Sequence, residues 1–135
     1  MLLTKDDLMK PAPISYGETE VDGGKVRYRS MTLSEANRFD AWLRPGGKLN
    51  QKRRLARNLK LATVCLVDAD GNSLFDFADT KEGNVEFFEF VDGIQVGAAD
   101  RWDVITLAVM QHNGWLASAD KDAGDSDEDD TLLEK

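Results

Sequence analysis

Cysteine is almost missing from this chain: Cys65 stands alone. No intramolecular disulfide can form, so the framework of a small secreted domain is excluded and a reducing cytosol is the simplest compartment. Histidine is equally scarce. A catalytic base needs a nucleophile or acid beside it, and His112 with Cys65 is too small a ligand set for zinc; His112 reads as a surface or helix-end residue. Cys65 lies in an apolar run and reads as a small buried hydrophobe. No apolar run approaches the roughly 20 residues of a membrane helix. The opening Met1-Leu2-Leu3-Thr4-Lys5-Asp6-Asp7 lacks the basic-then-apolar order of a signal peptide. Phosphate loops, dinucleotide fingerprints and Ser-His-Asp sets are also missing. Catalysis is therefore the class with least support, and no cofactor is expected.

What the chain does have is enough apolar material for one core. Its 135 residues suit a single domain, and 41% are hydrophobic, with three Trp and six Phe. Net charge is −8, but it is unevenly spread. Residues 25–60 carry 11 basic and 2 acidic side chains, whereas residues 61–135 carry 4 basic and 18 acidic. Such a polar chain can fold its halves together or pair head to tail with a copy of itself.

The pattern predicts an α+β fold: a mainly helical single domain of about three helices, one or two small β-hairpins and an acidic tail. Residues 1–13 read as a flexible arm closed by Pro11 and Pro13, 14–116 as the globular domain, and 117–135 as a disordered acidic tail. Residues 14–30 alternate around Asp22-Gly23-Gly24, a hairpin signal. Thr32-Leu33-Ser34-Glu35 is a capping box, followed at helical spacing by Ala36, Phe39 and Leu43, with Trp42 beside that face. Pro45-Gly46-Gly47 ends this helix. A second helix starts near Leu49, with Leu55, Leu59, Ala62 and Leu66 in one stripe and Arg53, Arg54, Arg57 and Lys60 opposite. It passes into a short strand or directly into the turn at Asp70-Gly71, and Ser73–Phe77 reads as a return strand. Residues 78–84 are polar and loop-like. Val85, Phe87, Phe88, Phe90 and Val91 suit either a strand or a short helix. Residues 98–112 form a third helix. Trp102, Ile105 and Val109 line one face, and Val104, Leu107 and Ala108 cover much of the rest, so it is either central or set against a partner. Asn113-Gly114 closes it.

Two sharper readings attach to these elements. Asp68, Asp70, Asn72, Asp76 and Asp79 fall at positions one, three, five, nine and twelve of an EF-hand loop, with the Leu74 carbonyl at seven. Ser73 stands where the loop needs Gly, Asp79 is shorter than the usual Glu, and no second hand is present; a plain β-turn is the competing reading. The basic run Lys48 to Arg57 suits phosphates, but the acidic whole (pI about 4.6) and the lack of any helix-turn-helix or zinc pattern make a solvated face, or one meeting an acidic partner, the better account.

The order of motifs resembles the tail assembly chaperones of long-tailed bacteriophages. The matching residues are Arg29 before Thr32 and Glu35; then Arg57, Cys65, Leu66, Asp68, Asp70, Gly71, Leu74 and Phe75; and finally Asn113 and Gly114. They span about residues 26–114, and the aromatic segment 85–97 and the arm lie outside the pattern. The resemblance implies a non-catalytic cytoplasmic protein, absent from the mature virion, that coats the tape-measure protein and recruits tail-tube subunits. It also implies self-association and, often, a longer frameshifted product. The residues expected to meet partners are Arg53, Arg54, Arg57, Lys60, Asp70, Gly71, Phe75, Trp102 and Leu107. The rival readings are a single EF-hand-like calcium module and a small acidic regulator touching nucleic acid through its basic helix.

Overall fold

A computed structural model describes residues 1–115; the predicted disordered tail 117–135, with Leu132 and Leu133, lies outside the described residues. The fold is α+β. Among the described residues there are six α-helices and one three-stranded antiparallel sheet of order β1-β2-β3. More helices form than the roughly three predicted.

The hairpin forms as its sequence dictates. β1 (Tyr16–Val21) pairs with β2 (Gly24–Arg29), with Tyr16 opposite Arg29 and Val21 opposite Gly24. Two residues connect them, Asp22 at φ 52° and Gly23 at φ 80°. Positive φ at both places matches the right-handed twist of the flanking strands. In the arm, α1 (Lys5–Met9) is a one-turn helix with a full Thr4–Asp7 capping box and no buried residue. This local helix was not anticipated; the box draws it out of a segment that buries no side chain among the described residues.

α2 (Leu33–Leu43) opens on the predicted capping box, with Thr32 Oγ accepting from Glu35 N–H at 3.1 Å. Its buried residues are Trp42 and Leu43, so Trp42 is the anchor rather than a neighbour of the apolar face. The single long second helix is corrected to two, α3 (Gln51–Leu55) and α4 (Arg57–Cys65). They part at Ala56 (φ −98°, ψ 9°), whose backbone leaves helical values while its side chain is buried. The break ends the expected stripe: Leu55 is exposed, whereas Ala62 and Leu66 are in the core.

α4 feeds β3 (Leu66–Val67), which sets Leu66 opposite Tyr28 and Val67 opposite Arg27. The expected return strand over Ser73–Phe77 reduces to one bridge, Val67 to Ser73. Phe75 and Phe77 turn instead into a ring cluster with Phe90, at centroid distances of 5.5 and 5.7 Å. The open choice over 85–91 resolves as helix: α5 (Lys81–Asp92) starts on Thr80, whose hydroxyl accepts from Gly83 N–H. α6 (Ala99–His112) closes on Asn113 and on Gly114 at φ 78°, as the Asn-Gly pair predicts.

α4, not α6, is the central helix. Lys60, Leu61, Ala62, Thr63 and Cys65 are all buried along it. α6 buries one side, Ile105, Thr106 and Val109, and leaves Val104 and Leu107 exposed. The core has two parts. One joins Tyr28, Leu61, Ala62, Cys65 and Leu66 to Ile105 and Val109; the other joins Trp42, Leu43 and Ala56 to Phe87.

Candidate functional site

Residues far apart in sequence meet where α2, α4, α6 and the sheet converge. Arg29, at the end of β2, donates from Nη1 and Nη2 to the two oxygens of Glu35 at 2.8 and 2.7 Å, a bidentate pair largely shielded from water. The same guanidinium reaches the Val64 carbonyl of α4 at 3.4 Å. Glu35 also accepts from Thr32 N–H, closing the capping box. The Arg29 guanidinium is the main reason the Glu35 carboxyl sits low, at about 2. At the end of α6, Asn113 accepts from Met31 N–H at 2.9 Å and donates from Nδ2 to Val109 O at 3.0 Å, with Cys65 Sγ 4.0 Å away. Burial pushes the Cys65 thiol up to about 12, so it is packing and not a nucleophile. His112 Nε2 lies 3.1 Å from both the hydroxyl and the carbonyl oxygen of Ser15, and its ring meets Tyr28 edge-on at 5.3 Å. It is a helix-end residue, as its isolation in the sequence suggested.

The Asp-x-Asp-Gly segment is a locked turn. Asp68 Oδ1 accepts from both Asp70 N–H and Asn72 N–H at 2.9 Å. Gly71 takes φ 88°, and a side chain there would press on Tyr16 Oη. Arg27 lies over the Tyr16 ring at 4.3 Å and donates to Ala69 O. The carboxylates of the calcium reading are dispersed by this geometry: Asp68 serves its own turn, and Asp79 accepts from Asn84 Nδ2. Among the described residues no group of three or more His, Cys, Asp or Glu side chains is placed to hold a metal ion.

The nine residues expected to meet partners do not form one surface. Lys60 is a correction: it does not share the exposed basic face but is buried, donating to Phe77 O at 3.3 Å. Its Nζ lies 5.2 Å from the Trp42 ring centre and 5.1 Å from that of Phe87. Burial lowers its pKa. Arg53 is half-buried, donating to Trp42 O and lying over that ring. Arg54 is tied to Gln51, while Arg57 is exposed. Asp70 and Gly71 belong to the turn. Phe75 and Trp102 sit half-buried in the ring cluster, 6.2 Å apart, and Leu107 is exposed on α6.

An unassigned feature lies beside Trp102. A cleft of about 400 Å³ opens between the α3–α4 junction, the end of α5 and the start of α6; Leu55, Leu59, Val91, Ile94, Val96 and Trp102 form its apolar wall, and polar residues of α4 and α6, Asp103 among them, complete it. Val96 is 93% exposed and Leu55 75%. Sequence reasoning placed Leu55 in the core and passed over Val96. The only signal was an aliphatic residue in the Gly-bounded link 93–97, too short to show a period. No match to the chain was found among protein-family models, curated proteins or solved structures. No described helix is long and apolar enough to cross a membrane.

Proposed function

We propose that this chain is a non-catalytic tail assembly chaperone of a long-tailed phage or prophage. It acts in the host cytoplasm, coats the tape-measure protein, recruits tail-tube subunits and leaves before the tail is complete. The observation that carries this reading is the convergence of the residues behind the resemblance. Arg29, Thr32 and Glu35 form one hydrogen-bonded group, which also reaches α4 at Val64. Asn113 binds the backbone of Met31 beside that group and approaches Cys65. Asp68, Asp70 and Gly71 form the turn that follows β3. Residues spread over more than eighty positions thus act as the joints of one architecture, which is how a fold signature behaves, and not as a reaction centre.

The uncovered apolar surface supports the same reading. A chaperone that lines a long helical client needs many copies and spare apolar contact area. Leu55, Val96, Val104 and Leu107 supply it. The proposal expects a tape-measure gene beside this one, and the test is co-expression with its product. The expected result is a tape-measure protein that stays soluble and co-purifies with many copies of this chain. A tape-measure protein equally insoluble with and without the chain would overturn the proposal.

A further inference from the structure

The arm carries apolar side chains that no described residue covers. Leu2 is 92% exposed, Leu3, Leu8 and Met9 are also exposed, and α1 has no buried residue. A five-residue helix has little stability of its own in water. This one nonetheless has both capping-box bonds in place, Thr4 N–H to Asp7 Oδ2 at 2.9 Å and Asp7 N–H to Thr4 Oγ at 3.2 Å. It is a preformed apolar plug that occupies no cleft of its own chain among the described residues.

The socket lies at the far end of α6. The arm joins the fold at Ser15, which is pinned to His112 at the C-terminal end of that helix. The cleft is walled by Ala99 and Trp102 at the N-terminal end, where Asp22 of the hairpin turn pairs with Arg101. At 1.5 Å per residue the two ends are about 20 Å apart. We propose that the arm of one copy, through Leu2, Leu3, Leu8 and Met9, docks into the Leu55–Val96–Trp102 cleft of a second copy.

The charges of the two surfaces agree. Arg54 and Arg57, neither of them in an ion pair among the described residues, flank in sequence the cleft residues Leu55 and Asn58 and would be offered to the acidic pair Asp6-Asp7 of a docked arm. Asp103, on the α6 wall, would be met by Lys5 or Lys10 of a docked arm. Plug and socket are different surfaces at opposite ends, so the contact is heterologous. Each added copy leaves one plug and one socket unused, giving an extended row or a ring instead of a closed twofold dimer. This deepens the self-association within the chaperone reading, but it does not depend on the identity of the client.

Sedimentation velocity over a concentration series tests it with the full chain and two variants. One lacks residues 1–10; the other carries Leu55→Asp and Val96→Asp. All changes fall on exposed residues, and circular dichroism checks that both variants fold. The full chain is expected to form a ladder of oligomers, and each variant alone to remain monomeric, with association weakened about a hundredfold. Mixed in equal amounts, the variants retain one intact cleft and one intact arm, so they form a dimer and nothing larger. A full chain that stays monomeric at its solubility limit overturns the proposal, as it does if the arm folds onto its own cleft. So does an arm deletion that oligomerises like the full chain; the association then runs through another surface. Solubilisation of the tape-measure protein is read independently and survives either failure.

Discussion

The Arg29–Glu35 pair gives the protein a defined acid response. The Glu35 carboxyl, normally near 4.5, is held at about 2 by the Arg29 hydrogen bonds. Its contribution is therefore complete above pH 4.5 and is lost as pH falls through 2. The shift corresponds to roughly 3 kcal/mol at neutral pH before solvent screening, and to about 1–2 kcal/mol once the partly exposed pair is discounted for it. Glu35→Gln should lower stability at pH 7 by about that amount in urea unfolding and flatten the dependence between pH 4.5 and 2. Equal slopes for both proteins over that window would show that the pair does not govern it. Lys60 makes the opposite case. A buried ammonium with no carboxylate within ion-pair distance among the described residues is costly, and two rings and one carbonyl offset only part of that cost. Lys60→Met keeps the volume and removes the charge, so it is expected to raise stability at pH 7 by about 1 kcal/mol. Because the folded-state pKa is lowered, the penalty is full below that pKa and lifts as pH rises toward 10.5. The gain from Lys60→Met should therefore shrink in alkaline solution. A loss of stability at pH 7 would mean that the ring contacts outweigh the desolvation.

At the scale of elements, α5 depends on Gly83. A methyl group there would collide with the carbonyl of Ala78, a backbone atom that cannot swing away. Gly83→Ala adds helix propensity yet should destabilise by about 2 kcal/mol or more, read as a fall in melting temperature with loss of Phe87 packing. An unchanged melting temperature would show that the 78–83 corner can relax. The elements whose signals are local were legible in the sequence: the Asp22-Gly23 hairpin, the Thr32–Glu35 cap and the Asn113-Gly114 stop are each decided within a few residues. The break at Ala56 was not legible, since no Pro or Gly marks it and its cause is the burial of Ala56 against the Trp42 cluster. A projection at 100° per residue carried one helix straight through it and set Lys60 on the wrong side. The segment 85–91 was ambiguous because its apolar residues nearly encircle the helix, and the deciding cap, Thr80, stands in a stretch that reads as loop. The partner residues were inferred from charge and resemblance, and neither carries information on burial; hence Lys60 is in the core while the cleft at Val96 went unnoticed.

For the whole molecule, charge segregation would make the proposed association sensitive to ionic strength. Basic side chains crowd residues 25–60 and acidic ones follow from residue 61. Exposed pairs between copies are screened over about 8 Å at physiological salt. The mean sedimentation coefficient at fixed concentration should therefore fall as salt is raised, with a residue of association left by the apolar contact. A rise with salt would indicate that apolar contacts dominate and that the charges repel.

The order in which the core is assembled has a consequence in time. Tyr28, Leu61, Ala62, Cys65 and Leu66 are all synthesised by residue 66, but their cover, Ile105 and Val109, comes about forty residues later. At roughly 5–20 residues per second the ribosome takes about 2–8 s to make that interval. During it, half of a core stands open on the nascent chain. Under the proposed function, a protein that shields the apolar surface of another would begin its existence needing the same protection, and crowded synthesis of many copies would be the moment at which it is most exposed to misassembly.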